Sequence, residues 1–291
     1  MDLGIVCGLT SYFADVKRLA RHIESCGFES MWMIDHPIMP VKRASAYGGG
    51  AMPAHYAHIM DPMVSLAGAA GATTRLRLGT SIALVPEREP LVMAKEVATL
   101  DLVSGGRFEF GVGAGWLREE GEILGVNWTR RWAQTREHLL AMKACWGEEI
   151  AEFHGEFVDF PPLYSDPKPV QDPHPPILIA GELRHAADRI LEYGDGWMPR
   201  YDRTSLEHMA ATRAVLAERF AAAGRDFSRF TMNVFRCPPE LDALHHVAAA
   251  GADRALLILP PVAEPEALET VSAWAEQLLP AFGSSAAPAV E

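Results

Sequence analysis

Residues Leu100–Trp116 read LDLVSGGRFEFGVGAGW. The first half closes a helix. Ala94, Val97, Ala98 and the Asp101–Leu102 pair keep a helical period, and Gly105–Gly106 end it. Phe108, Phe110 and Val112 then alternate as in a strand, which runs into Gly111-Val112-Gly113-Ala114-Gly115. Glycines at the C-terminal end of a buried strand let backbone approach a flat or phosphorylated ligand. A dinucleotide-binding turn would need a third glycine where Trp116 stands, so that fingerprint fails on spacing. The run reads either as a ligand-contacting glycine turn or as a tight strand-to-helix turn.

Outward from this stretch the chain alternates. Strands are expected at Leu3–Leu9, Ser30–Ile34, Leu76–Val85, the Phe108 run, Ile177–Ala180, Gly196–Pro199, Phe230–Phe235 and Ala255–Pro260. Amphipathic helices separate them: Phe13–Cys26 with Gly27 as its stop, a helix capped by Asp61 with Pro62 at its first position, and Pro90–Val103. Glu119–Gly125 and Arg131–Trp146 follow, with a small hairpin at Ile150–Phe160 and a proline-rich loop at Asp166–Pro176. The last helices are His185–Tyr193, Ser205–Ala223, Glu240–Ala249 and Glu264–Leu279. Eight strands alternating with eight helices require parallel pairing and crossovers, and eight such units close into a (β/α)8 TIM barrel with an insertion after strand four. The expected organisation is one domain over 1–283 and a disordered tail over 284–291.

Composition narrows the function. Hydrophobic residues make up 49% of 291 positions, enough for a sizeable core, and the formal net charge of -12 argues against nucleic acid and anionic membranes as partners. The cysteines at 7, 26, 145 and 237 form no C-x-x-C pair, which points to a reducing compartment and no structural zinc. His55 and His58 lie three apart without a nearby acidic or thiol partner, so no metal site is expected there. No basic leader and no bilayer-length apolar run is present, and a cytoplasmic location is expected. The segment Pro37–Ile59, with Gly48-Gly49-Gly50, reads as a long lid or binding loop.

In such barrels the chemistry sits at the C-terminal ends of strands. That selects Asp35-His36, Ser81 to Val85, Gly113 to Trp116, Gly181-Glu182 and Arg200-Tyr201. An aspartate before a histidine can orient the ring, and a histidine exchanges a proton near neutral pH; the pair also suits a turn and helix cap. Backbone N–H groups of Gly181 and Glu182, at a helix start, could hold a phosphate. Arg200 could bind a phosphate or carboxylate, or form a surface ion pair.

Four stretches, SMWMIDH at 30–36, LGTSIALVPEREP at 78–90, AKEVATLDLVSGGRFEFGVGAGW at 94–116 and ILIAGELRHAADRILEYGDGW at 177–197, resemble the luciferase-like monooxygenase superfamily, most closely its coenzyme F420-dependent oxidoreductase branch. The insertion GEILGVNWTRRWAQTREHLLAMKACW is similar too, so nearly the whole chain is covered. The resemblance implies that His36 is the proton donor or acceptor. It implies that Asp35, Ser81, Ile82, Gly113, Ala114, Gly115, Ala180, Gly181 and Glu182 surround the deazaflavin, with a cis peptide at Ser81–Ile82 behind its ring. Trp116 stands where sugar-phosphate dehydrogenases of this superfamily carry a catalytic glutamate, which argues against sugar oxidation. Trp116, Arg200 and Tyr201 would then face the substrate.

The expected activity is hydride transfer between coenzyme F420 and a small organic substrate. The alternatives are an FMN-dependent monooxygenase using oxygen and a non-catalytic flavin-binding protein on the same barrel. A homodimer is expected from the resemblance, with Phe13, Trp32 and the helix around Met63–Leu66 as apolar material near the early barrel.

Overall fold

The computed structural model describes residues 1–13, 15–45, 47, 51–181 and 183–282; the tail expectation, Gly48-Gly49-Gly50 and Glu182 lie outside them. The chain begins with β1 (Asp2–Cys7), α1 (Val16–Cys26), β2 (Ser30–Met33), α2 (Pro62–Ala70), β3 (Arg77–Thr80), β4 (Ala83–Leu84), α3 (Pro90–Ser104) and β5 (Phe108–Gly113). Helices α4 (Arg118–Ile123) and α5 (Arg131–Gly147) and the antiparallel strands β6 (Ala151–His154) and β7 (Asp159–Leu163) fill the expected insertion. Then come β8 (Ile177–Ala180), α6 (Leu183–Tyr193), β9 (Gly196–Met198), α7 (Leu206–Ala222), β10 (Thr231–Cys237), α8 (Leu241–Ala249), β11 (Arg254–Ile258) and α9 (Glu264–Phe282).

The strands pair in parallel in the order β3-β2-β1-β11-β10-β9-β8-β5, and β3 pairs with β5 to close the circle. The fold is a (β/α)8 TIM barrel. Local signals place its helices. Asp15 and Asp61 accept N–H bonds from Arg18 and Val64 at the starts of α1 and α2, and Gly27 ends α1 with φ 95°. Among the described residues no helix is long and apolar enough to cross a membrane.

The run Leu76–Val85 is not one strand, as its composition suggested. It breaks after Thr80, the Ser81–Ile82 peptide is cis as expected, and β4 resumes beside Val112 and Gly113. A side chain on Gly113 would run into Ile82. The glycine ending of β5 therefore makes room for the neighbouring strand's bulge.

Trp32 fills the barrel interior. It is fully buried, its indole N–H donates to Ser30 Oγ at 2.8 Å, and a Cβ on Gly79 would fall on its ring. Below it, at the N-terminal end, the Arg254 guanidinium lies 5.2 Å from the ring and bonds Glu29 and Glu109 at 2.6–3.0 Å. Burial alone would raise the Glu109 carboxyl, but Arg254 and Arg77 hold it at about 2. This charged cluster plugs one end. At the other end a buried layer of Val6, Trp32, Leu178, Met198 and Leu256 is topped by the half-buried Ile34, Ile82, Ala180 and Phe235. At the C-terminal end Ile34, Ile82, Ala180 and Phe235 thus form an apolar floor.

Phe13, Trp32, Met63 and Leu66 are all buried within the chain's own core. On the same helix as Met63 and Leu66, Val64 is exposed. Gly79→Ala forces a methyl group against Trp32 and should destabilise the protein by about 1–3 kcal/mol. Urea denaturation checks this, and an unchanged midpoint would contradict the interior packing described.

Candidate active site

His36 follows β2 at the C-terminal mouth. Its Nδ1 lies 2.7 Å from Glu120 Oε2, and the two side chains are 5% and 0% exposed. Glu120 sits in the first turn of α4, after β5, so the bond joins the ends of two barrel strands. Its second oxygen accepts the Ile38 N–H at 3.3 Å. Next to it, Glu119 accepts the N–H groups of Ala44 and Ser45. The short helix thereby fixes the chain that leaves His36.

The ring-orienting role expected of Asp35 belongs to Glu120. Asp35 is buried and turned away. Its oxygens accept from Arg88 Nη2 at 2.8 Å, Arg88 Nε at 3.1 Å and the Leu84 N–H at 3.0 Å. Arg88 also reaches Asp61 at the start of α2, at 2.9 Å. Burial opposes the Arg88 charge, but its bonds to Asp35 and Asp61 outweigh this and move it above its ordinary value. Asp35 thus locks the end of β2 to the turn after β4 through a bidentate pair, the strong form of such contacts.

Aromatic rings cover His36. Tyr56 and Trp116 lie 5.2 Å and 5.7 Å from its ring, and Tyr47 lies 5.4 Å from Tyr56 and 5.8 Å from Trp116. The Tyr47 and Tyr56 hydroxyls are 3.3 Å apart. Trp116 is 38% exposed, so it is not a buried packing residue. Tyr47 and Tyr56 come from the long loop, where sequence alone showed no pattern.

The other expected residues divide. Ser81 is buried with its hydroxyl toward Met198 Sδ at 3.5 Å; Ile82 and Ala180 belong to the apolar floor beside Gly113. Ala114 is buried, and Gly115 turns the chain with φ 78°. Gly181, also at positive φ, gives its carbonyl to the Trp197 indole at 3.0 Å. Arg200 pairs with Asp202 at 2.7 Å and 2.9 Å. The half-buried Tyr201 packs against the main core cluster, and its N–H donates to the Phe235 carbonyl at 2.9 Å. His55 and His58 lie on a short turn over Ala54–His58, and no metal-competent cluster exists among the described residues.

Glu87 was not foreseen. Its side chain is buried, both oxygens lack a hydrogen-bond partner among the described residues, and a Cβ on Gly115 would lie 2.7 Å from its Oε1. Burial first, then the carboxylates of Glu120 and Asp35, push it up to about 9, against the pull of Arg88. It is therefore a neutral acid behind the glycine turn. A second cleft, of about 220 Å³ and lined by His174, Asp195 and Arg225 among others, lies at the N-terminal end. Its Arg225 is tied to Asp195 and to the carbonyls of Ile190, Leu191 and Gly194, so it reads as structural.

Comparison with known proteins agrees with this geometry. The family model described as luciferase-like monooxygenase matches residues 1–267. An uncharacterised protein of Mycobacterium tuberculosis is 38% identical over 231 residues, 78% of this chain and 80% of that one. The structure of a monooxygenase from Streptomyces bottropensis superimposes with a TM-score of 0.77 at 23% identity, covering 97% of this chain and 100% of that one. The coenzyme F420-dependent tetrahydromethanopterin reductase of Methanopyrus kandleri superimposes with a TM-score of 0.74 at 16% identity, covering 97% and 99%.

A carboxyl neutral in the fold and ionised in the unfolded chain stabilises fully below the ordinary carboxylate range and loses that contribution as pH rises toward 9. Between pH 5 and 8 the wild type should lose on the order of 2–4 kcal/mol more stability than Glu87→Gln. Denaturation at both pH values checks it; parallel losses would mean Glu87 is ionised. With the apolar floor, the buried histidine–carboxylate pair and the family match in place, the chain belongs to the luciferase-like monooxygenase family.

Proposed function

We propose that the chain is an F420-dependent oxidoreductase that transfers hydride between the coenzyme and a small organic substrate, with His36 handling the proton. The observation that carries the proposal is the buried His36–Glu120 pair beside an apolar floor. A flat ring fits that floor, because Ile34, Ile82, Ala180 and Phe235 supply apolar contact and Gly113 adds no side chain above it. Bound there, a deazaflavin supplies a two-electron hydride carrier that reacts poorly with oxygen.

The protein's own part is positional and acid–base. Glu120 fixes the ring plane of His36 and leaves Nε2 as the nitrogen that can face the reacting atom. Tyr47, Tyr56 and Trp116 narrow the opening and exclude water above it. Ser81, Ala114, Gly115, Gly181 and Glu182 complete the proposed coenzyme contacts, the start of α6 being the place for a phosphate. Asp35 serves through its lock on Arg88. The F420-dependent reductase and the Streptomyces monooxygenase share the fold, and the fold favours neither the deazaflavin reading nor the monooxygenase alternative. Assembly as a homodimer belongs to the same proposal.

Titrating the purified protein with each coenzyme tests the choice, by deazaflavin and FMN fluorescence. The proposal expects deazaflavin binding and much weaker FMN binding; micromolar FMN binding without deazaflavin binding would reverse it. With an accepted substrate, His36→Ala should lower turnover by about 10²–10⁴ while coenzyme affinity stays within a few fold. Unchanged turnover would remove His36 from the mechanism.

A further inference from the structure

Arg236 is the one non-glycine residue with a positive φ, 64°, among the described residues. It is the extra residue of a bulge in β10, where the pairing with β11 slips between Phe235 and Cys237. An L-residue disfavours this conformation, because its Cβ crowds the backbone. Bulges of this kind re-aim a side chain at a barrel rim. Hydrogen bonds from Tyr201 N–H to Phe235 carbonyl and from Phe235 N–H to Pro199 carbonyl lay the Arg200 turn against this bulge. The two arginines are therefore neighbours at the C-terminal mouth.

Their electrostatics differ. Arg200 is neutralised by its bidentate pair with Asp202. Arg236, half-buried, has no hydrogen bond or ion pair among the described residues. Burial and the Tyr47 hydroxyl push the Tyr56 phenol up from its ordinary value, and the charges of Arg236 and Arg200 pull it the other way. The positive charge of Arg236 thus reaches the ring that packs on His36. Of the nearby acids, Asp35 after β2 is bonded to Arg88 and Glu120 after β5 to His36, while Asp202 lies on the arginine side, held below its ordinary range by the Arg200 bonds and by the charges of Arg200 and Arg236. In the closed strand order, β2 lies opposite β9, while β5 lies two strands from β9. Arg236 brings to this mouth a positive charge with no direct ion pair among the described residues, near the π surfaces of Tyr47, Tyr56 and Trp116.

We propose that Arg236 is an anion-recognising residue of this mouth, and that its ligand is a planar carboxylic acid lying along Tyr56 and Trp116. The carboxylate goes to the Arg236 guanidinium, whose donors are unbonded among the described residues, and the flat body takes the aromatic wall. The inference rests on the proposed function only in taking this mouth as the substrate's place. A phosphate on the coenzyme is the other source of an anion, and the test separates the two.

Calorimetric titration of the protein alone with sodium benzoate and with benzamide reads the site without reference to which coenzyme binds. Benzoate should bind and benzamide should bind about tenfold or more weakly, because the charge-assisted bonds are lost. Arg236→Gly should weaken benzoate by about tenfold or more, leave benzamide unchanged, and melt no lower than the wild type, since glycine accepts positive φ. The same variant should keep its coenzyme affinity. Equal binding of acid and amide, no benzoate binding, or unchanged benzoate binding in Arg236→Gly overturns the inference. Benzoate binding unchanged with coenzyme binding lost would reassign Arg236 to the coenzyme's phosphate. If benzoate behaves as expected and deazaflavin fails to bind, the coenzyme assignment fails and this one stands.

Discussion

One buried hydrogen bond, His36 Nδ1 to Glu120 Oε2 at 2.7 Å, organises the working end of this barrel. A bond to a carboxylate is stronger than a neutral one, and removal from water strengthens it further. Breaking it would strand a buried charge, so the ends of β2 and β5 are held together. The same helix turn then holds Ile38, Ala44 and Ser45 by their N–H groups. The chain leaving His36 is thereby directed over the mouth, where Tyr47 and Tyr56 close on Trp116. Arg88 provides a parallel lock one layer out, gripping Asp35 and Asp61.

The barrel was legible because alternation of short apolar strands and amphipathic helices has one parallel, closed solution. Strand ends selected His36 and Trp116 as candidates, and the cis Ser81–Ile82 peptide was expected from the family resemblance of its stretch. The third strand was not. LRLGTSIALV is a continuous strand-like run, and composition cannot show that the chain breaks after Thr80. Its trace was the glycine spacing of the next strand, where Gly113 makes room for Ile82.

Glu120 was missed because it lies 84 residues from His36 and reads, in LREEGE, as an ordinary charged helix start. Only the return of β5 beside the mouth buries it. Asp35 was misread for the opposite reason. Adjacency in sequence suggested that it orients His36, but successive residues leaving a strand point to opposite sides. Glu87 and Arg88 were hidden inside PEREP, whose charges look like a solvated turn. Glu87 is buried and Arg88 half-buried in the structure.

The central claim is that Glu120 holds His36 with its Nδ1 proton directed inward, leaving Nε2 for chemistry. Nitrogen-15 NMR of histidine-labelled protein, with His36→Gln to assign the signal and Glu120→Gln as comparison, tests this most directly. The account predicts a protonated Nδ1 for His36 at neutral pH, with the tautomer preference weakened in Glu120→Gln. A neutral His36 ring carrying its proton on Nε2, unaffected by Glu120→Gln, would contradict it.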